Sequence, residues 1–103
     1  MQIYYEVFIS AETQEQADRI LNSLLEKKLA TGGQFLQSPA RFLWKGKIEE
    51  MGYITITSFT TANKKELLIK DVEATTKEEL PMIRFISIEV NTKLAEWIDQ
   101  ALA

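Results

Sequence analysis

Residues 41–59, RFLWKGKIEEMGYITITSF, constrain the fold of this chain more than any other stretch. Lys45-Gly46 supplies a two-residue turn in which Gly takes a positive φ. The arm after it, from Lys47 to about Thr60, is far longer than the usual strand of ~5–6 residues. At ~3.3 Å per residue it spans ~46 Å, whereas a compact chain of about 100 residues has a radius of gyration near ~13 Å. The arm is therefore expected to overhang its own domain. Its outer part carries unpaired N–H and C=O groups that need a partner.

The flanking sequence supplies the rest of a small sheet. In QIYYEVFIS, Ile3, Tyr5, Val7 and Ile9 fall on one face and Tyr4 and Phe8 on the other. Both faces carry large apolar groups, so both need cover. TQEQADRILNSLLEKKLA is a helix with a stripe of Ala17, Ile20, Leu21, Leu24, Leu25 and Leu29. Thr13 and Gln16 fit a capping box. Lys27 and Lys28 suit the negative end of the dipole, and Gly32-Gly33 is the expected stop. GQFLQS reads as a short strand, interrupted at Ser38-Pro39 and resumed by ARFLW. Gly52 reads as a bulge in the returning arm.

NKKELLIKDVEATTKEE is a second helix, capped by Asn63 with Glu66. Leu67, Leu68 and Val72, flanked by Ile69, supply its apolar side. MIRFISIEV is a fourth strand. TKLAEWIDQALA closes the chain as a helix burying Leu94, Trp97, Ile98 and Leu102 by spacing. The order is β-α-β-β-α-β with a C-terminal helix, an α+β domain of the ferredoxin-like kind over residues 1–103. Its helices cover one face of a four-stranded antiparallel sheet. Tyr4 and Phe8 point to the other face, and a second copy of the chain is the economical cover.

Composition narrows the chemistry. The 103 residues include no Cys and no His. Thiolate metal sites, Cys nucleophiles and Ser-His triads are thereby excluded. A metal site must use oxygen or thioether ligands, which suits hard ions better than copper or zinc. The net charge is −3 and no basic patch stands out, so nucleic acid is not an expected partner. No run of ~18 apolar residues is present to span a membrane. The alternating start with Glu6 does not read as a signal peptide, and a cytoplasmic location is expected.

FLWKGKIEE, residues 42–50, resembles the aromatic-x-Trp-x-Gly-Lys-Ile-Glu-Glu signature of the CutA family of divalent-ion tolerance proteins. LLEKKLAT (24–31) is similar to the end of that family's first helix, ELPMIRFISIEV (79–90) to its Pro-led fourth strand, and LAEW (94–97) to its final Trp-bearing helix. The resemblance covers nearly the whole chain in order. It implies a ferredoxin-like subunit in a homotrimer, with sheets facing each other around the threefold axis and the long hairpin reaching onto a neighbour. Tyr4 and Phe8 then become trimer-interface candidates. Family members associated with copper are similar in carrying a Cys at the end of the first strand, a Cys after the first helix and a His-Pro-Tyr-type segment after the second. The matching positions here hold Ile9, the stretch TGGQ, and TTKEELP with Thr75-Thr76 where His is expected. The resemblance carries over the fold and leaves copper without its ligands.

Trp44, Lys47 and Glu50 are candidates for an inter-subunit cleft. Trp44 can stack on a ligand or anchor an interface. Lys47 can hold an anion or stay solvated. Glu49 and Glu50 are adjacent in a strand and point to opposite faces, so they do not chelate together. Glu78 and Glu79, assisted by Thr75 or Thr76, are candidate hard-ion ligands. Their ordinary reading is a polar helix end. No carboxylate pair sits near a nucleophile by spacing, Gly32-Gly33 is no phosphate loop, and no enzyme is expected. The first functional reading is a non-catalytic homotrimer associated with divalent-ion tolerance; any cofactor is unknown. The alternative is a trimeric sensor of the PII type, binding a nucleotide or other anion between subunits.

Overall fold

The computed structural model describes residues 2–103. The elements are β1 (Tyr4–Ala11), α1 (Gln14–Glu26), β2 (Gly33–Trp44), β3 (Lys47–Thr61), α2 (Lys65–Thr75), β4 (Ile83–Ile88) and α3 (Thr92–Ala101). The four strands form one sheet in the order β2-β3-β1-β4, antiparallel throughout. This is the ferredoxin-like arrangement with an added C-terminal helix.

Side-chain alternation assigns the two faces. Val7, Ile9 and Ala11 of β1 stand beside Ser58, Ile56 and Ile54 of β3, and α1 and α2 lie over them. Ile20, Leu24, Leu68 and Val72 complete this core, all fully buried with Val7, Ile9 and Ile56. Each such side chain contributes ~1.5–3 kcal/mol by leaving water. Asp71 of α2 is buried as well. It is held by the Ser23 hydroxyl at 2.8 Å and by the Lys27 ammonium, so the charge inside the α1–α2 contact is both paired and hydrogen-bonded.

The termini of α1 depart from expectation in two ways. Thr13 Oγ1 accepts from the Gln16 N–H at 3.1 Å, which is half of a capping box. The Gln16 side chain turns instead to Thr76, donating to its hydroxyl at 2.8 Å. The helix also stops before Gly32-Gly33. Lys28 takes the left-handed conformation (φ 56°). The Leu29 N–H then donates to Leu24 O at 2.8 Å and the Lys28 N–H to Leu25 O at 3.1 Å. That is a Schellman motif, sealed by Leu24 and Leu29 in the core. Leu25, expected in the buried stripe, is exposed.

The second helix begins later than the sequence suggests. Asn63 lies in a 3₁₀ turn (Ala62–Lys64) and caps nothing; its side-chain oxygen accepts from the Thr61 hydroxyl. Leu67 and Trp97, both expected in the core, are exposed. In each case the next residue, Leu68 or Ile98, is fully buried as expected.

The hairpin is longer and more regular than expected. β2 runs its 12 residues unbroken through Ser38-Pro39, and β3 has 15 residues. The register continues without a bulge from Gly33↔Ser58 to Trp44↔Lys47, with Pro39 opposite Gly52. Pro39 is tolerated because β2 is an edge strand. Both turn residues take positive φ, Lys45 at 51° and Gly46 at 82°, the type I′ geometry that matches strand twist. At the other end, a Cβ on Gly33 would lie 1.8 Å from the Thr57 carbonyl oxygen.

β1 pairs only with residues 54–61 of β3. Residues 47–53 of β3 therefore pair with β2 alone. This part makes the molecule 44 Å long against 24 and 20 Å in the other directions, and raises the radius of gyration to 14.2 Å.

Candidate functional site

Strand periodicity gathers the site. Phe42 and Trp44 on β2 share one face of the hairpin with Glu49, Met51 and Tyr53 on β3. This is the face opposite the α1–α2 layer. Across from it lies the loop between α2 and β4. Together with Glu12, Leu43, Glu78, Glu79, Leu80 and Met82 these residues line a pocket of about 500 Å³.

Hydrogen bonds hold the loop in place. Ser10 Oγ donates to Glu78 Oε2 at 2.7 Å, and the Tyr53 hydroxyl donates to Glu78 Oε1 at 2.8 Å. The Met82 N–H donates back to Ser10 Oγ at 2.9 Å, and the Glu78 N–H to Thr76 Oγ1 at 3.1 Å. Both oxygens of Glu78 are thus engaged by hydroxyls. Phe42 meets Tyr53 edge to face, with centroids 5.5 Å apart. At the hairpin tip the Lys45 ammonium lies 3.2 Å from Glu79 Oε2 and 5.4 Å from the centre of the Trp44 ring.

Burial, helped by the neighbouring Glu78 carboxylate, pushes the Tyr53 phenol up to about 12 from 10.0. The folded chain therefore holds this proton between pH 10 and about 12, while the unfolded chain releases it. Stability contributed by the neutral phenol is complete below pH 10 and is lost as pH rises toward 12. Tyr53→Phe is expected to flatten the decline of the urea midpoint over this window relative to the parent. An identical decline in both proteins would separate Tyr53 from it.

The residues expected from sequence are dispersed. Trp44, Glu78 and Glu79 line the pocket. Lys47 is exposed opposite Trp44 beside the turn. Glu50 points to the other hairpin face, where it pairs with Arg41. That face holds a wider groove of about 870 Å³ over Pro39, Arg41, Glu50 and Gly52, whose two charged groups neutralise each other. Tyr4 lies on the uncovered sheet face, its hydroxyl 2.9 Å from Asp99 Oδ2 of α3. Phe8 lies on the same face under the Arg84 guanidinium, 4.8 Å from the ring centre. Thr76 serves Gln16 and Glu78, and Thr75 bonds its own helix. Among the described residues no three acidic groups gather as a metal site would require. Phe42 and Tyr53 were not singled out from sequence, although period-two counting from the turn puts them on the Trp44 face.

The fold defines a ferredoxin-like α+β protein whose hairpin outruns its sheet and meets the α2–β4 loop through Lys45–Glu79 and Tyr53–Glu78. The family described as CutA1 divalent ion tolerance protein matches residues 5–101, and the chain belongs to it. The divalent-cation tolerance protein CutA of Archaeoglobus fulgidus is 33% identical over 97 residues, covering 93% of this chain and 95% of that protein. A solved CutA structure from the same organism, described as periplasmic, has a TM-score of 0.92 at 31% identity over 97% of this chain and 99% of that one. CutA1 from Ehrlichia chaffeensis shares the fold, with a TM-score of 0.92 at 24% identity over 100% and 98% of the two chains. The PII-type alternative draws no support from these relatives. No helix among the described residues is long and apolar enough to cross a membrane, and the cytoplasmic expectation is left unconfirmed by these relatives.

Proposed function

We propose that this protein acts in divalent-ion tolerance as a non-catalytic homotrimer with little soft-metal affinity of its own. The family match over residues 5–101 carries the tolerance reading. The assembly is supported by the sheet face that the chain leaves bare. Leu36 and Ile86 on that face are each 51% exposed, and Phe8 and Phe59 between them are half-buried. Such a face is costly in water and suits a partner sheet. The outer part of β3, paired on one edge only, asks for the same neighbour. Tyr4 and Phe8 belong to this proposed interface. Trp44 is proposed as a wall of the pocket rather than as an interface anchor.

The chain's own oxygen donors limit what it can do with metals. Glu78 and Glu79 are the proposed contacts for a hard ion. Their existing bonds to Tyr53, Ser10 and Lys45 make such contact weak and exchangeable. Native mass spectrometry on the untagged protein is expected to show three times 11.8 kDa with no retained copper. A monomer would overturn the assembly, and stoichiometric copper would overturn the metal reading. Deleting residues 43–48 is expected to weaken the trimer, read as a lower mass by light scattering on dilution. An undiminished trimer would remove the hairpin from the interface.

A further inference from the structure

The pocket beneath the hairpin tip combines two chemistries, aromatic faces and carboxylates. Three aromatic rings, Trp44, Phe42 and Tyr53, line it beside four carboxylates, Glu12, Glu49, Glu78 and Glu79. The carboxylates do not converge as a metal cage, and each oxygen of Glu78 already accepts from one hydroxyl. One cation does stand against the pocket, and it is organic. The Lys45 ammonium touches two of the lining residues at once, the Glu79 carboxylate at 3.2 Å and the Trp44 ring face at 5.4 Å. An ammonium between an indole face and a carboxylate is the usual arrangement for recognising alkylammonium groups. Leu43, Met51, Leu80 and Met82 supply apolar wall for an alkyl chain behind it.

We propose that this pocket binds a small organic cation carrying a primary ammonium on an apolar stem, and that Lys45 is its internal competitor. The ligand's ammonium takes the place between Trp44 and Glu79, and its stem enters among Met51, Leu80 and Met82. Lys45 is well suited to yield. Its side chain is 65% exposed and reaches the site from the turn, so it swings into water at little cost. Any affinity is lowered by the work of displacing it. Every residue that lines the site belongs to one chain, and the proposal does not rest on a role in metal tolerance.

Lys45→Asn removes the competitor and leaves Asn-Gly, the dipeptide best suited to a type I′ turn. The probe is n-butylammonium chloride, followed through the indole N–H resonances, with Trp97 as the internal control. In the parent a saturable shift of the Trp44 resonance alone is expected, and in Lys45→Asn the same shift at about tenfold lower concentration. Glu79→Gln should weaken binding in both backgrounds. n-Butanol, of similar shape and no charge, should leave Trp44 unmoved. No Trp44 response to n-butylammonium in either protein would overturn the proposal. So would an equal response to n-butanol, or a response to magnesium chloride at matched ionic strength that n-butylammonium does not reproduce. Native masses of the same samples report the assembly separately, so an empty pocket and a lost trimer are read apart.

Discussion

Gly33→Ala is expected to destabilise this protein by about 3 kcal/mol or more, the upper end of what an added methyl costs in a packed site. The added Cβ would lie 1.8 Å from the Thr57 carbonyl oxygen and 2.9 Å from its carbon. Both are backbone atoms of β3, in the middle of the sheet, so no side-chain rotation relieves the clash. The strand must separate locally, and it carries two connections that resist this. The Thr31 N–H donates to Phe59 O at 3.1 Å, and the Ser58 hydroxyl donates to Gly32 O. Gly52→Ala is the matched control, since a Cβ there meets nothing within 4 Å and its φ is ordinary. It should stay within ~0.5 kcal/mol of the parent. Urea unfolding at one fixed protein concentration compares the three, since the proposed assembly would make midpoints depend on concentration. A Gly33→Ala midpoint indistinguishable from that of Gly52→Ala would mean the close approach does not exist.

Ile86→Asp is expected to raise the dissociation constant of the proposed trimer about 100-fold or more while leaving the subunit folded. Ile86 is 51% exposed in the single chain, so its own fold has little to lose. In a trimer that closes over this face the new carboxylate would be buried, at a penalty of several kcal/mol. Its cross-strand neighbour is Glu6, which offers repulsion in place of a counter-ion. Phe8→Asp is a poorer test of the same face, because the Arg84 guanidinium 4.8 Å from the ring would pair with the new carboxylate. Sedimentation of a dilution series reads the assembly, and circular dichroism reads the fold. A trimer that persists on dilution, with an unchanged spectrum, would show that the face is not the interface.

The sheet was legible because its pattern is redundant. Val7 and Ile9 alternate with Tyr4 and Phe8, the turn at Lys45-Gly46 fixes the register of every rung behind it, and an error of one residue would invert both faces. The helix ends were less legible. Lys28 closes α1 in a conformation that glycine usually supplies, and only the placement of Leu29 in the core explains why the chain accepts it. Leu25, Leu67 and Trp97 satisfy a helical stripe on paper. Which residues of a wide stripe lie inward depends on how closely the helix approaches the sheet, and spacing does not encode that distance. The pocket was half legible. Trp44, Glu78 and Glu79 were visible as residue types, but their meeting depends on the α2–β4 loop lying against the hairpin, which local pattern does not encode. Lys47 and Glu50 look equivalent to Trp44 in the string, and the pleat sends Glu50 to the opposite side.

The Pro39–Gly52 rung stands just beyond Ile54, where β1 stops supporting β3. One member of that rung has no amide hydrogen and the other has no side chain. Pro39 sits at a non-hydrogen-bonded position of the edge strand, so the ladder loses no bond there, and that outer edge gains a rung that offers no donor to a further strand. Beyond Ile54 the ribbon keeps its register with β2 alone, so its tip is positioned by a single unbroken ladder of rungs.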